Sequence, residues 1–281
     1  MAGTTNDSDV LVTTDWVEQH LTDKDLRLVE VDVDTGSYQQ GHIPGAAGWN
    51  WKSQLQDALT RNVATAGQIE KLLGESGIHN ATTVVLYGDN NNWFAAWAYW
   101  LLKYYGHDKL RILDGGRKKW VAEERELSTR QTAPAPEVYT VGKIRTDLRA
   151  FRDEVEQTIG NIHAFGLVDV RSPDEFTGKI IAPPGLNELS QRGGHIPGAR
   201  NIPWVNTVNE DGTFKTAEEL RTIYEDQGIT PEKSIIAYCR IGERSAHSWF
   251  VLKELLNYQS VRNYDGSWTE WGNLINAPIE R

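Results

Sequence analysis

Short apolar runs rich in β-branched residues alternate along this chain with longer stretches whose apolar positions recur at helical spacing. Leu28–Val31, Thr83–Tyr87 and Leu110–Leu113 read as strands, answered later by Leu167–Val170, Ser234–Tyr238 and Val261–Tyr264. Between them lie helical patterns such as Trp93–Tyr105 and Ser245–Leu256. Strands that alternate with helices, and that are too apolar to leave one face wet, predict a mostly parallel sheet covered by helices on both faces. In such sheets ligands bind beyond the carboxyl ends of the strands.

The pattern also repeats. GHIPGAAGWNW at Gly41–Trp51 returns as GHIPGARNIPW at Gly194–Trp204, 153 residues later. VVLYG (Val84–Gly88) returns as IIAYC (Ile235–Cys239), DGG (Asp114–Gly116) as DGS (Asp265–Ser267) and Trp120 as Trp271, all at an offset of 151. Thr65 with Gln68 and Thr216 with Glu219 stand at the same offset, and each pair has capping-box spacing, so one helix opens alike in both halves. A period this long predicts a duplicated α/β domain: residues 8–127, a linker over 128–146 that carries Pro134 and Pro136, and residues 147–281.

A duplicated chain is its own control. Features present twice serve the fold, and features present once are candidates for chemistry. His42 and His195, one in each GHIPGA segment, fall in the first class and are read as structural histidines bonded to nearby backbone. The halves differ most where Gly88, Asp89, Asn90, Asn91, Asn92 and Trp93 face Cys239, Arg240, Ile241, Gly242, Glu243 and Arg244. They differ again before the second GHIPGA, where 14 extra residues contain Lys179 and Arg192. A long insertion in a compact domain is often functional.

Composition narrows the chemistry. Among 281 residues Cys239 is the single cysteine, which excludes an intrachain disulfide and an all-cysteine metal cluster, and no metal or cofactor is expected. A net charge of −10 argues against general nucleic-acid or anionic-membrane binding, so a site for an anion must be locally positive. No apolar run approaches the roughly 20 residues of a membrane span, and the N-terminal stretch has no basic-then-apolar signal, so a soluble cytoplasmic protein is expected. The 11 tryptophans read as core residues.

Cys239 ends an apolar strand, and the next clear helix opens near Ser245. The backbone N–H groups of the intervening turn, with Gly242 supplying its freedom, would form a nest for an anion. A free thiol titrates near 8.5, and helix N-termini with adjacent cations bring it to between about 3.5 and 7.5. The expectation is a nucleophilic thiolate held by the backbone of Ile241, Gly242, Glu243 and Ser245. Arg240 would point outward to guide an anionic substrate in, and Arg244 would fold back over the nest. Glu243 is given no catalytic role.

GHIPGA in each half, with CRIGERS in the second alone, strongly resembles the tandem-domain thiosulfate sulfurtransferases, the rhodaneses, over nearly the whole chain. The resemblance implies two tandem rhodanese-like domains, the first structural and the second catalytic. It also implies double displacement. Cys239 attacks the outer sulfur of thiosulfate, sulfite leaves, and cyanide, a thiol or a thiol protein takes the sulfur from the persulfide. Family substrate contacts fall on Arg244 and Arg240, with Arg192 a lesser candidate. A 3-mercaptopyruvate sulfurtransferase is the nearest alternative, but its loop is small and neutral after the cysteine. A phosphatase or arsenate reductase needs five residues between cysteine and arginine, and four separate Cys239 from Arg244. An inactive binding module would not keep the intact loop.

Overall fold

The computed structural model describes residues 10–33, 35–185 and 189–281. The expected boundary at Ser8, and Leu186–Glu188 within the inserted segment, lie outside the described residues. Two compact units divide the chain: one runs up to Arg145 and takes in Glu210–Phe214, and the other holds Thr146–Asn209 and Lys215–Arg281. Among the described residues no helix is long and apolar enough to cross a membrane.

The first unit is built on β1 (Leu11–Val12), β2 (Leu26–Asp32), β3 (Ala47–Asn50), β4 (Thr83–Tyr87) and β5 (Leu110–Leu113), in the spatial order β1-β5-β4-β2-β3. The second holds β6 (Phe165–Asp169), β7 (Arg200–Asn201), β8 (Ser234–Tyr238) and β9 (Val261–Asn263), in the order β7-β6-β8-β9. Every strand pair is parallel. Reading β5-β4-β2-β3 against β9-β8-β6-β7 gives one topology twice. The second copy of β1 survives as a single parallel bridge from Arg149 to Asn263.

The duplication extends to contacts. Ile43 N–H donates to the Tyr87 hydroxyl at 3.1 Å, and Ile196 N–H to the Tyr238 hydroxyl at 3.1 Å. His42 places Nδ1 2.8 Å from Tyr38 O and stacks on that ring, while His195 places Nδ1 2.9 Å from Phe176 O and stacks on Phe176. Both histidines therefore tie the GHIPGA turn to the short helix before it. The two capping boxes, Thr65 with Gln68 and Thr216 with Glu219, are both formed. Trp49, Trp51, Trp97, Trp100 and Trp120 in one unit and Trp249, Trp268 and Trp271 in the other are fully buried, which places most of the aromatic mass in the two cores.

The stretch expected to be a linker is no free tether. Glu137 N–H donates to Gly74 O, Val141 N–H to Glu70 Oε1 and Arg145 N–H to Tyr104 O, so it runs pinned along the first unit. Its prolines suit an extended strap that needs few donors.

Candidate active site

Strand β8 delivers Cys239 to the carboxyl edge of its sheet, and the Glu243–Phe250 helix begins four residues later. The turn closes on the sulfur: Gly242 N–H donates to Cys239 Sγ at 3.1 Å, and the Ser245 N–H adds a second backbone bond. Gly242 sits at φ 103°, and a Cβ there would come within 3.0 Å of Asp265 backbone, so both conformation and space require glycine. The Ser245 hydroxyl lies 2.7 Å from Asn263 Oδ1 and 3.0 Å from Gly242 O, locking the turn to β9. From the other side Ser267, itself at φ 52°, accepts Cys239 N–H at 3.1 Å and donates to Tyr264 O.

Three expectations about side chains are corrected. The Cys239 thiol is fully buried, and its pKa is raised: burial and then the Glu243 carboxylate push it up against Arg244 and the loop N–H groups. Arg240 does not reach outward; it is 4% exposed, and its carbonyl accepts from Thr269 N and Oγ1. Arg244 does not lie over the nest with a free fork. Its Nη1 and Nη2 bind Glu175 Oε2 and Oε1 at 2.9 and 3.0 Å, and both residues are buried. Burial opposes the Arg244 charge, but the Glu175 bonds and the neighbouring thiol and Glu243 outweigh it, so its pKa is raised.

Arg192 is taken up elsewhere. Its guanidinium donates to the carbonyls of Trp271, Gly272, Leu274 and Ala277, closing off the end of the Ser267–Trp271 helix, where unpaired carbonyls favour a cation. Lys179, the other cation of the insertion, is exposed and pairs with Asp174. Ile241 is buried at the loop tip.

Glu175 went unrecognised in the sequence as a site residue. Only its capping box with Ser172 was there to be read. That box fixes the carboxylate at a helix start, and being wholly buried it requires a cation. Its pKa is lowered, because the Arg244 bonds overcome the burial that would raise it. Behind it Asp169 and Arg171 form a second buried pair, Arg171 Nη2 donating also to Gly194 O.

The corresponding place in the first unit has no thiol and a different turn. Gly88 stands where Cys239 does, and a Cβ there would lie 2.3 Å from Val31 O. Asn90, Asn91 and Asn92 take left-handed conformations with φ of 51°, 51° and 64°, which asparagine tolerates better than most residues. Asn92 then fills the turn itself, accepting Gly88 N–H at 3.0 Å and donating to Leu113 O. The pocket is acidic: Asp32 accepts Asp89 N–H, and Glu30 pairs with Arg117, whose Nη2 reaches Gly41 O as Arg171 reaches Gly194 O.

Burial, then the charges of Asp89 and Glu30, push the Asp32 carboxyl up to about 8. The folded chain thus holds a proton that the unfolded chain releases near 3.8. A raised acid contributes stability at low pH that is lost as pH climbs toward the folded value, at about 1.4 kcal/mol per unit at most. Asp32→Asn should therefore gain melting temperature over the wild type progressively between pH 5 and pH 9. A gap that stays constant across thermal melts in that range would show that Asp32 does not titrate there.

Comparison with known proteins agrees with this duplicated frame. The rhodanese-like domain matches twice, at residues 13–123 and 151–274. A Haloferax volcanii protein named "Putative thiosulfate sulfurtransferase" is 56% identical over 97% of this chain and 96% of its own. The "Sulfur carrier protein TtuD" of Thermus thermophilus is 51% identical over 97% of each. Among solved structures, EanB bearing a cysteine persulfide in a tetrahedral intermediate state with ergothioneine superposes with a TM-score of 0.84 at 25% identity, over 97% of this chain and 70% of that one. With the domain matched in both halves and these relatives spanning nearly its whole length, the chain belongs to the rhodanese-like domain family.

Proposed function

We propose that this chain is a sulfurtransferase that takes the outer sulfur of thiosulfate onto Cys239 as a persulfide and passes it to a thiol or cyanide by double displacement. The observation that carries the reading is the Cys239 sulfur at a strand end, inside a turn whose Gly242 and Ser245 N–H groups point at it. Those donors suit a sulfur that is anionic as thiolate and as persulfide. Sγ attacks the outer sulfur, the donor's S–S bond breaks with its electron pair on sulfite, and the outer sulfur stays on Cys239. An acceptor nucleophile then attacks that sulfur and releases Cys239. Because the thiol is buried, the donor reaches it only when the side chains over the loop shift. In this reading the second unit is catalytic. The first, with Gly88 and Asn92 in place of the nucleophile and its turn, is structural.

Thiosulfate is favoured over 3-mercaptopyruvate because the turn after Cys239 carries Arg240 and Arg244 in place of small neutral residues, even though Glu175 already engages the Arg244 fork. The names of the relatives support this donor, and a sulfur carrier among them fits a persulfide that is held and handed on. The test is intact mass after incubation with thiosulfate, with steady-state kinetics for both donors. One added sulfur atom is expected, with kcat/KM for thiosulfate at least about tenfold the higher, a difference of ~1.4 kcal/mol in transition-state stabilisation. A preference for 3-mercaptopyruvate would overturn the donor assignment, and no added sulfur from either donor would overturn the persulfide.

A further inference from the structure

The Cys239 thiol faces a carboxylate that the reaction as described leaves unused. Sγ donates to Glu243 Oε2 at 3.4 Å, and Glu243, at 2% exposed, is sealed in with it. A buried carboxylate against the nucleophile of an anion-transferring site is costly if it only stands there, because it opposes both the thiolate and the donor.

The surrounding charges do not neutralise it cheaply. Arg244 Nε lies 3.6 Å from Glu243 Oε1, but the rest of that guanidinium is committed to Glu175. Arg240 is buried in the same turn, and Asp265, beside Gly242, is matched by Arg149. His247, one turn along the helix, is buried, and that burial pushes its pKa down to about 3, so it is neutral.

We infer that Glu243 is a catalytic residue, the acid–base partner that takes the Cys239 proton as the sulfur donor is attacked and returns it as the acceptor removes the sulfur. The inference rests on the reading of Cys239 as the nucleophile. In the first half-reaction the S–H bond breaks and its proton passes to Glu243 Oε2. The Sγ–sulfur bond forms, and sulfite departs with the electron pair of the donor's S–S bond. The pair carries one negative charge before, on the carboxylate, and one after, on the persulfide, so the site never accumulates charge against the dianion. In the second half-reaction the acceptor anion takes the outer sulfur, and the proton on Glu243 returns to the departing Cys239 sulfur.

The productive enzyme therefore holds one proton on the pair. With two, the thiol has no base; with none, two negative charges meet the donor. The rate constant for persulfide formation from thiosulfate, followed by stopped flow across pH, is expected to be bell-shaped in the wild type. Glu243→Gln should lose the alkaline fall and rise to a plateau. The variant should run about 10- to 100-fold slower at the acid end and equal or exceed the wild type at the alkaline end. Its thiolate absorbance, which Cys239 alone can supply, should appear at lower pH than in the wild type. An unchanged bell, or an equal loss at every pH, would overturn the role.

If Glu243→Gln fails to fold, infrared difference spectra of the wild type before and after thiosulfate decide the matter. A new protonated-carboxyl band is expected on persulfide formation, and its absence overturns the inference. A wild-type protein that gains no sulfur at all refutes the sulfurtransferase reading instead, so the two failures are distinguishable.

Discussion

Cys239→Ser is expected to reduce sulfur transfer to the uncatalysed background while leaving the fold intact. A serine hydroxyl has no thiolate-like state near neutral pH and forms no persulfide, so both half-reactions stop together. The substitution is structurally mild. The new hydroxyl falls where Gly242 N–H donates and where Glu243 Oε2 accepts, so it is not left as an unsatisfied buried group. The stability change should stay within about 1 kcal/mol, because one polarised hydrogen-bonding pair replaces another. Thermal unfolding and intact mass after thiosulfate give the two readouts. A variant that melts like the wild type and gains no sulfur isolates the thiol as the reagent; measurable turnover in a pure preparation would end the proposal.

The elements that could be read from the chain were those whose pattern is local. Thr83–Tyr87, Leu110–Leu113 and Ser234–Tyr238 have the same bounds in the sequence reading and in the structure, since each is a mostly apolar run on an interior strand of its sheet. Leu28–Val31 is longer in the fold, as Leu26–Asp32, because Leu26 and Arg27 pair with Thr83 and Val84 on the neighbouring strand. The Trp93–Tyr105 pattern matches the regular part of the Asp89–Tyr104 segment, because Asn90, Asn91 and Asn92 are left-handed and the right-handed helix follows them. Strands of two residues, such as Leu11–Val12 and Arg200–Asn201, carry too little periodicity to see.

The site divides the same way. The loop, its glycine and its cysteine are contiguous, and comparing the two halves isolates them. What surrounds the sulfur is not contiguous. Glu175 is 69 residues from Arg244, and nothing in either segment announces that the two will meet. Counting arginines near Cys239 suggested a depressed thiol, but the count omitted the buried carboxylates of Glu175 and Glu243 that answer Arg244. Arg192 reads as a free cation in an insertion, yet the carbonyls of Trp271, Gly272, Leu274 and Ala277 claim it.

Breaking the Glu175–Arg244 pair should be the most destabilising single change near the site. Each member is buried, and the two-bond fork between them leaves neither charge exposed to water. Removing one partner strands the other, which costs about 3–5 kcal/mol, whereas replacing both with apolar groups of similar volume is often close to neutral. Arg244→Met and Glu175→Leu should each lower the denaturant midpoint sharply, and the double variant should recover most of the loss. Recovery of the fold should not restore chemistry, because Arg244 is also the cation that favours the Cys239 thiolate. One charge-assisted interaction of about 1.5–3 kcal/mol corresponds to a roughly 10- to 150-fold fall in kcat/KM for thiosulfate in the double variant. Arg244→Lys keeps the charge and loses the planar fork, so it should fall between the wild type and Arg244→Met in both stability and rate. Denaturant unfolding with persulfide-formation kinetics on the wild type and these four variants separates the two roles. If the double variant loses as much stability as the sum of the singles, the pair is not coupled. If it turns over like the wild type, the cation at this position serves the fold alone.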